Sequence, residues 1–177
     1  ELHAKMINEA GGVLGQQIEI VAFDDKNSGE EAANIAQKIA SSGDYSGVVG
    51  HFASGVSMAA SPTYQEEGIV EISPSASHPD YSSEGDYIFR NNSLISVEGN
   101  ETLRIADEYL DAKKVAILAV KTDWGTSTAD ILMNQLAAEH PDLEIVAYEE
   151  VLDGLTDFSA PITKLKEAEP ETIITCA

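Results

Sequence analysis

The chain is 177 residues long and 43% apolar, with 31 acidic against 10 basic residues and a formal net charge of -21. That length allows one large or two small domains with a sizeable core, and the charge repels nucleic acid and anionic membrane surfaces, which excludes a nucleic-acid partner. Apolar runs such as 115–120 fall far short of the roughly 20 residues of a membrane helix, and a single cysteine, Cys176, permits neither an intramolecular disulfide nor a thiolate metal cluster.

The opening residues, ELHAKMINEAGG, put Leu2, Met6 and Ala10 on one face and predict a helix that stops at Gly11 and Gly12. With no cap and no initiator methionine, it reads as an element entered midway, and the chain as an N-terminal fragment of a longer protein. QIEIVAFDD, 17–25, alternates and is rich in isoleucine and valine, which predicts a strand. A helix over 28–43 follows, opened by a capping box of Ser28 and Glu31. GVVG, 47–50, is the next strand. The helical stretch after its loop ends near Gly68, with Pro62 either kinking it or marking a late start capped by Ser61. IVEIS, 69–73, is a further strand. Residues 74–87 hold two prolines, a glycine and several serines, a loop of the length at which function becomes the better explanation.

IFRN, 88–91, is a short strand, and the polar stretch NNSLISVEGN marks a lobe boundary. This divides the chain into a first lobe at 1–92, a hinge at 93–97 and a second lobe at 98–177. The second lobe reads as helix 98–111, strand 114–120, helix 126–139 with a capping box of Ser127 and Asp130, strand 144–151, helix 158–168 and strand 172–176. Alternation of this kind predicts an α/β fold of two doubly wound lobes, each a parallel sheet covered by helices on both faces.

In open parallel sheets ligands bind beyond the carboxyl ends of the strands. GHFASGVSMAA, 50–60, has the glycine spacing of a phosphate loop, but Val56 stands where its lysine belongs. Ser54 and Ser57 here, with Ser75 and Ser77 in the next such loop, instead offer hydroxyls beside the N–H groups of a helix start. These neutral donors suit a small carboxylate. Taken singly, each serine is better explained as a helix cap; two such loops after neighbouring strands favour a site. A serine hydrolase with Ser57 as nucleophile and His51 or His78 as base is the enzymatic alternative, although Ser57 lies too far past the strand end for a nucleophile elbow. DDKNSGEE, 24–31, is read as a solvated turn ahead of the helix rather than a calcium loop, so neither a metal nor a cofactor is expected. Trp124, the only tryptophan, falls in a loop after a second-lobe strand, where it either packs on the next helix or walls a ligand. Cys176 reads as a small buried hydrophobe.

The ordered motifs INEAGGVLGQQIEIVAFDD, GVVGHFASGVSMAASPTYQEEGIVEISPSASHPD, KKVAILAVKTDWG and DFSAPITKLKEAEPETIITCA carry a family likeness. Over nearly the whole chain, the sequence resembles the type I periplasmic binding proteins of branched-chain amino-acid ABC transporters. The resemblance implies a non-enzymatic, exported receptor, periplasmic or a lipoprotein outside the cell, that closes two lobes on an amino acid and delivers it to a membrane permease. A ligand-sensing regulator is the other reading of the same fold. The resemblance further implies that Ser54 gives hydroxyl and N–H to the ligand carboxylate, and that Ser75 offers its carbonyl to the ammonium. Ala76 lines the site, Ser77 supplies hydroxyl and N–H, and Trp124 stands where the family often has tyrosine, a departure that bears on the usual aliphatic preference. Family members begin with a strand ahead of the first helix and continue well past residue 177, where the acidic partner of the ammonium lies. The fragment is therefore expected to bind an amino acid weakly or not at all, and to self-associate through open sheet edges.

Overall fold

A computed structural model of the protein describes residues 1–176. Along the chain run α1 (Leu2–Glu9), α2 (Gly29–Ser42), β1 (Val48–Val49), α3 (Ser54–Glu67), β2 (Glu71–Ser73), β3 (Ile88–Arg90), α4 (Ile95–Arg104), β4 (Lys114–Val120), α5 (Asp123–Glu139), β5 (Glu144–Val151), α6 (Ser159–Glu167) and β6 (Thr172–Cys176). The strands form two three-stranded sheets, ordered β1-β2-β3 and β5-β4-β6, and every pairing is parallel. No helix is long and apolar enough to cross a membrane among the described residues.

The second sheet is doubly wound because its central strand is apolar at every position from Val115 on. Val115 to Ala119 are all buried, and the two-residue period of a strand sends alternate side chains to opposite faces. Val115, Ile117 and Ala119 meet Leu103 of α4 and Ala129, Leu132 and Leu136 of α5, while Ala116 and Leu118 meet Leu165 of α6. Burial of each leucine or isoleucine contributes about 1.5–3 kcal/mol. In the first sheet, Val48 and Ile88 pack on Ala32, Ala36 and Ile39 of α2 and on Val56, Ala60 and Tyr64 of α3. The opposite row, Val49, Ile72 and Phe89 in register, is open, with Val49 84% exposed. Among the described residues α2 and α3 pack on the other face of this sheet.

Several local readings are corrected. Residues 17–25 form no strand. A strand needs a neighbour for its backbone groups, and β1 stands across a groove of about 490 Å³ from this segment; Ile18 instead has its N–H and C=O both bonded to the Asn8 side chain, and the Asp25 carbonyl accepts the Ser28 N–H. The Ser28 cap is half a capping box: Ser28 Oγ accepts the Glu31 N–H, but the Glu31 carboxylate takes Lys26 Nζ. Pro62 lies inside an unbroken α3, and Ser61 donates to the Glu84 carboxylate rather than capping. The helix predicted at 98–111 begins at Ile95 and ends in a π-helical turn over Ile105–Tyr109. The start of α5 lies three residues ahead of the predicted one, because Thr122 Oγ1 accepts the Gly125 N–H at 3.1 Å. Ser127 caps nothing and donates to the Trp124 carbonyl. So early a start requires glycine at 125, where any Cβ would strike the Val120 carbonyl.

Glu71 lies under the first sheet's covered face, fully buried, and among the described residues neither its carboxyl oxygens nor the nearby Tyr81 hydroxyl has a hydrogen-bond partner. Burial, with the charge of Glu84 added and only partly offset by the Tyr81 hydroxyl and the His51 backbone, pushes Glu71 up to about 8 from an ordinary 4.5. The folded state therefore holds this proton more tightly than the unfolded chain, so its contribution to stability is whole below pH 4.5 and is lost as pH rises through about 8. In urea titrations the wild type should weaken by a few kcal/mol across that interval, whereas Glu71→Gln should flatten the profile and be the more stable protein at pH 9; parallel profiles would contradict this placement of Glu71. The net charge of -21 also makes self-repulsion a folding cost that salt screens. The melting temperature should rise by roughly 5 °C or more between low salt and about 1 M NaCl, and calorimetry that shows no rise would contradict it.

Candidate functional site

The carboxyl ends of β1, β2, β3, β4 and β5 open on one cavity of about 950 Å³ between the two sheets' layers. One wall is the start of α3, from Phe52 to Val56, with Pro74, Ser75 and Ser77 from the loop after β2. The facing wall is Val120, Thr122, Asp123 and Trp124, with Asn92, Glu98 and Asp153 at its margins.

The β2 loop is shaped by Ser73, whose Oγ donates to the His51 carbonyl at 2.6 Å and accepts the Ala76 N–H at 3.0 Å. This ties the ends of β1 and β2 together. Ser54 Oγ accepts the His78 N–H at 3.3 Å, so the start of α3 and the β2 loop are joined a second time, directly at the cavity. Asn92 Nδ2 donates to the Ser75 carbonyl at 3.2 Å, and the Ile95 N–H donates to the Ser77 carbonyl at 3.1 Å, which fixes the loop to the beginning of α4. From the facing wall, Trp124 Nε1 donates to Ser77 Oγ at 3.0 Å.

Ser54, Ser75, Ser77 and Trp124 thus stand around one hollow. Ala76 does not: it is wholly buried in the core beside the first sheet, not on the cavity wall, and its N–H is bonded to Ser73 Oγ. Ser57 is also directed away, fully buried with its Oγ donating to the Ala53 and His51 carbonyls at 3.0 and 3.2 Å. The His51 ring is engaged elsewhere, Nδ1 with Asp25 at 2.6 Å and Nε2 with the Tyr64 hydroxyl at 3.5 Å, and His78 Nδ1 accepts the Asp80 N–H. Among the described residues no imidazole addresses Ser57, so the hydrolase reading lacks its nucleophile and base. Burial raises the Asp25 carboxyl, but its bonds to His51 and to the Asn27 N–H outweigh this and hold it below the ordinary carboxylate range. That pairing belongs to the turn at 24–31, where Asp24 and Asp25 accept the N–H groups of Lys26 and Asn27. No group of three metal-binding side chains occurs among the described residues.

Trp124 occupies the first turn of α5 rather than a loop, where it packs on the second core and also lines the cavity. Cys176 lies in that same core, where burial pushes its thiol up to about 11. Phe52, Asn92, Asp123 and Asp153 escaped sequence reasoning. Each lies just past a strand's carboxyl end, and that rule alone would have found them. Among the described residues the lining carries acids but no lysine, arginine or histidine, so its means of holding an anion are backbone N–H groups and hydroxyls.

A family described as periplasmic binding protein matches residues 1–177. The Leu/Ile/Val-binding protein homolog 1 of Brucella abortus is 38% identical over 173 residues, 95% of this chain and 45% of the relative. The leucine-, isoleucine-, valine-, threonine- and alanine-binding protein of Pseudomonas aeruginosa is 35% identical over 166 residues, 93% of this chain and 43% of the relative. The branched-chain amino acid transporter substrate-binding protein LivJ of Streptococcus pneumoniae, solved with isoleucine, superposes with a TM-score of 0.89 at 32% identity, covering 98% of this chain and 49% of that one. The chain spans about half the length of the curated relatives it matches. With its parallel sheets, its helix-covered layers and a match along its whole length, the chain belongs to the periplasmic binding protein family and has the doubly wound α/β fold of type I members.

Proposed function

We propose that this chain supplies the carboxylate-holding half of the site of an ABC transporter's solute-binding protein, one that takes up a branched-chain or related amino acid and passes it to a membrane permease. The observation that carries the reading is the convergence of Ser54, Ser75 and Ser77 on one cavity faced by Trp124. In this reading Ser54 and Ser77 donate hydroxyl and N–H to the ligand carboxylate, the Ser75 carbonyl accepts from the ammonium, and the Trp124 ring bounds the side chain. Ala76 contributes only by keeping the loop in place. The names of the Brucella and Pseudomonas relatives, and the isoleucine in the Streptococcus protein, support an aliphatic amino acid as ligand.

The proposed boundaries are a first lobe at 1–92, a hinge at 93–97 and a second lobe at 98–177. The segment 93–97 suits that role because it comes after the last strand of the first sheet and runs into the first turn of α4, which packs on α5. Membership of the family is in keeping with a place outside the cytoplasmic membrane; attachment there by a lipid anchor is the variant for a single-membrane cell. In this reading the chemistry of the site is capture and release.

Calorimetric titration of the protein carrying both complete lobes tests the reading. Leucine, isoleucine or valine should bind, and Ser54→Ala or Ser77→Ala should each weaken binding roughly 10- to 100-fold, the loss of a hydrogen bond to a charged group. The corresponding amino-acid amides should bind far more weakly than the acids. Undiminished affinity in the double Ser54→Ala, Ser77→Ala variant would contradict it.

A further inference from the structure

The two walls of the cavity come into contact where the start of α3 faces the start of α5. Gly55 lies so close to Asp123 that any added Cβ would collide with the Asp123 carboxylate. Next to that contact, Trp124 Nε1 donates to Ser77 Oγ at 3.0 Å, a bond between residues 47 apart in sequence. Ser77 is buried, and its carbonyl is already committed to the Ile95 N–H. The Trp124 carbonyl is likewise held, by the hydroxyls of Ser127 and Thr128 at 3.1 and 2.6 Å, and the Thr122 cap fixes the turn from which it projects. Both partners are therefore positioned by bonds other than the one they share.

A serine hydroxyl has one proton to give and two lone pairs, whereas an indole N–H can only donate. When the indole occupies an Oγ lone pair, the Ser77 proton must point elsewhere. No protein acceptor takes it among the described residues, while the cavity lies beside it. We propose that Trp124 is a positioning residue that latches the two lobes: by donating to Ser77 Oγ it turns the Ser77 proton into the cavity, towards a ligand carboxylate, so that lobe closure and carboxylate recognition become one event. This rests on the reading of the cavity as an amino-acid site and adds to it a coupling. A ligand carboxylate accepting from Ser77 polarises the hydroxyl and strengthens its acceptance from the indole, and the closed arrangement in turn presents the hydroxyl ready to donate. A phenylalanine ring would fill the same wall without this effect.

The chain has one tryptophan, so its indole N–H gives a single, unambiguous nuclear magnetic resonance signal. In the 177-residue chain that proton should exchange slowly with solvent. Ser77→Ala should shift the signal and speed exchange roughly tenfold or more, the effect of losing one hydrogen bond, and Ser77→Thr, which keeps the hydroxyl, should restore both. Exchange that is equally slow in Ser77→Ala and the wild type would overturn the latch, since a ring held only by packing would behave in that way. In the protein with both lobes complete, Trp124→Phe should weaken leucine binding roughly tenfold, mainly through faster release. Should leucine bind to wild type and Trp124→Phe alike, the latch is wrong and the amino-acid site stands. Should neither bind any amino acid, the site reading falls, and the exchange measurement still decides whether the two walls are bonded.

Discussion

Parallel pairing of β1 with β2 is the constraint on which the site depends. It brings both strands to an end at the same level, so the loop leaving β1 and the loop leaving β2 are forced into one place. Ser73, the last residue of β2, fixes this meeting by bonding across to the His51 carbonyl beyond β1 and back to the N–H of Ala76 in its own loop. Ser54 repeats the connection at the cavity wall. The loops that carry the cavity-facing serines are therefore held together by serine hydroxyls, Ser73 beneath the cavity and Ser54 at its wall, before any ligand arrives. Preorganisation of this kind reduces the ordering cost of binding.

The charge distribution explains why such a frame would be built from neutral groups. On a chain with a net charge of -21, the cavity has Glu98, Asp123 and Asp153 on its walls and no basic side chain among the described residues. A carboxylate can enter only if N–H groups and hydroxyls are aimed at it, and helix starts supply these without requiring a buried cation. Acids at the margin then suit the opposite end of a zwitterion. Glu71 beneath the sheet takes the other course: buried without a cation to offset its charge, it stays protonated to well above the ordinary carboxylate range.

How much of this was legible in the sequence depended on whether an element's cause is local. The strands 114–120, 144–151 and 172–176 match β4, β5 and β6, because a continuous apolar run or a dense β-branched stretch identifies a strand of a helix-covered sheet. The stretch 17–25 has the same local pattern, yet a strand exists only as a pair, and its sequence contains no information about who stands beside it. Caps misled for a similar reason: Ser127 and Asp130 have the right spacing, but the Thr122 hydroxyl two residues beyond β4 reaches the free N–H groups first. At the site, Ser54, Ser75 and Ser77 could be picked out by their place after strands. Ala76 could not be judged, since its direction is decided by one backbone bond to Ser73, and the bond from Trp124 to Ser77 joins residues whose proximity only the tertiary structure creates.

The central claim is that uncharged donors at the ends of β1 and β2 seat an anion. A crystal structure of the protein with both lobes complete and leucine bound would test it most directly. The carboxylate oxygens should lie within about 3.2 Å of donors on Ser54 and Ser77, with Trp124 closing over them. A carboxylate bound instead to a lysine or arginine, away from both serines, would contradict it.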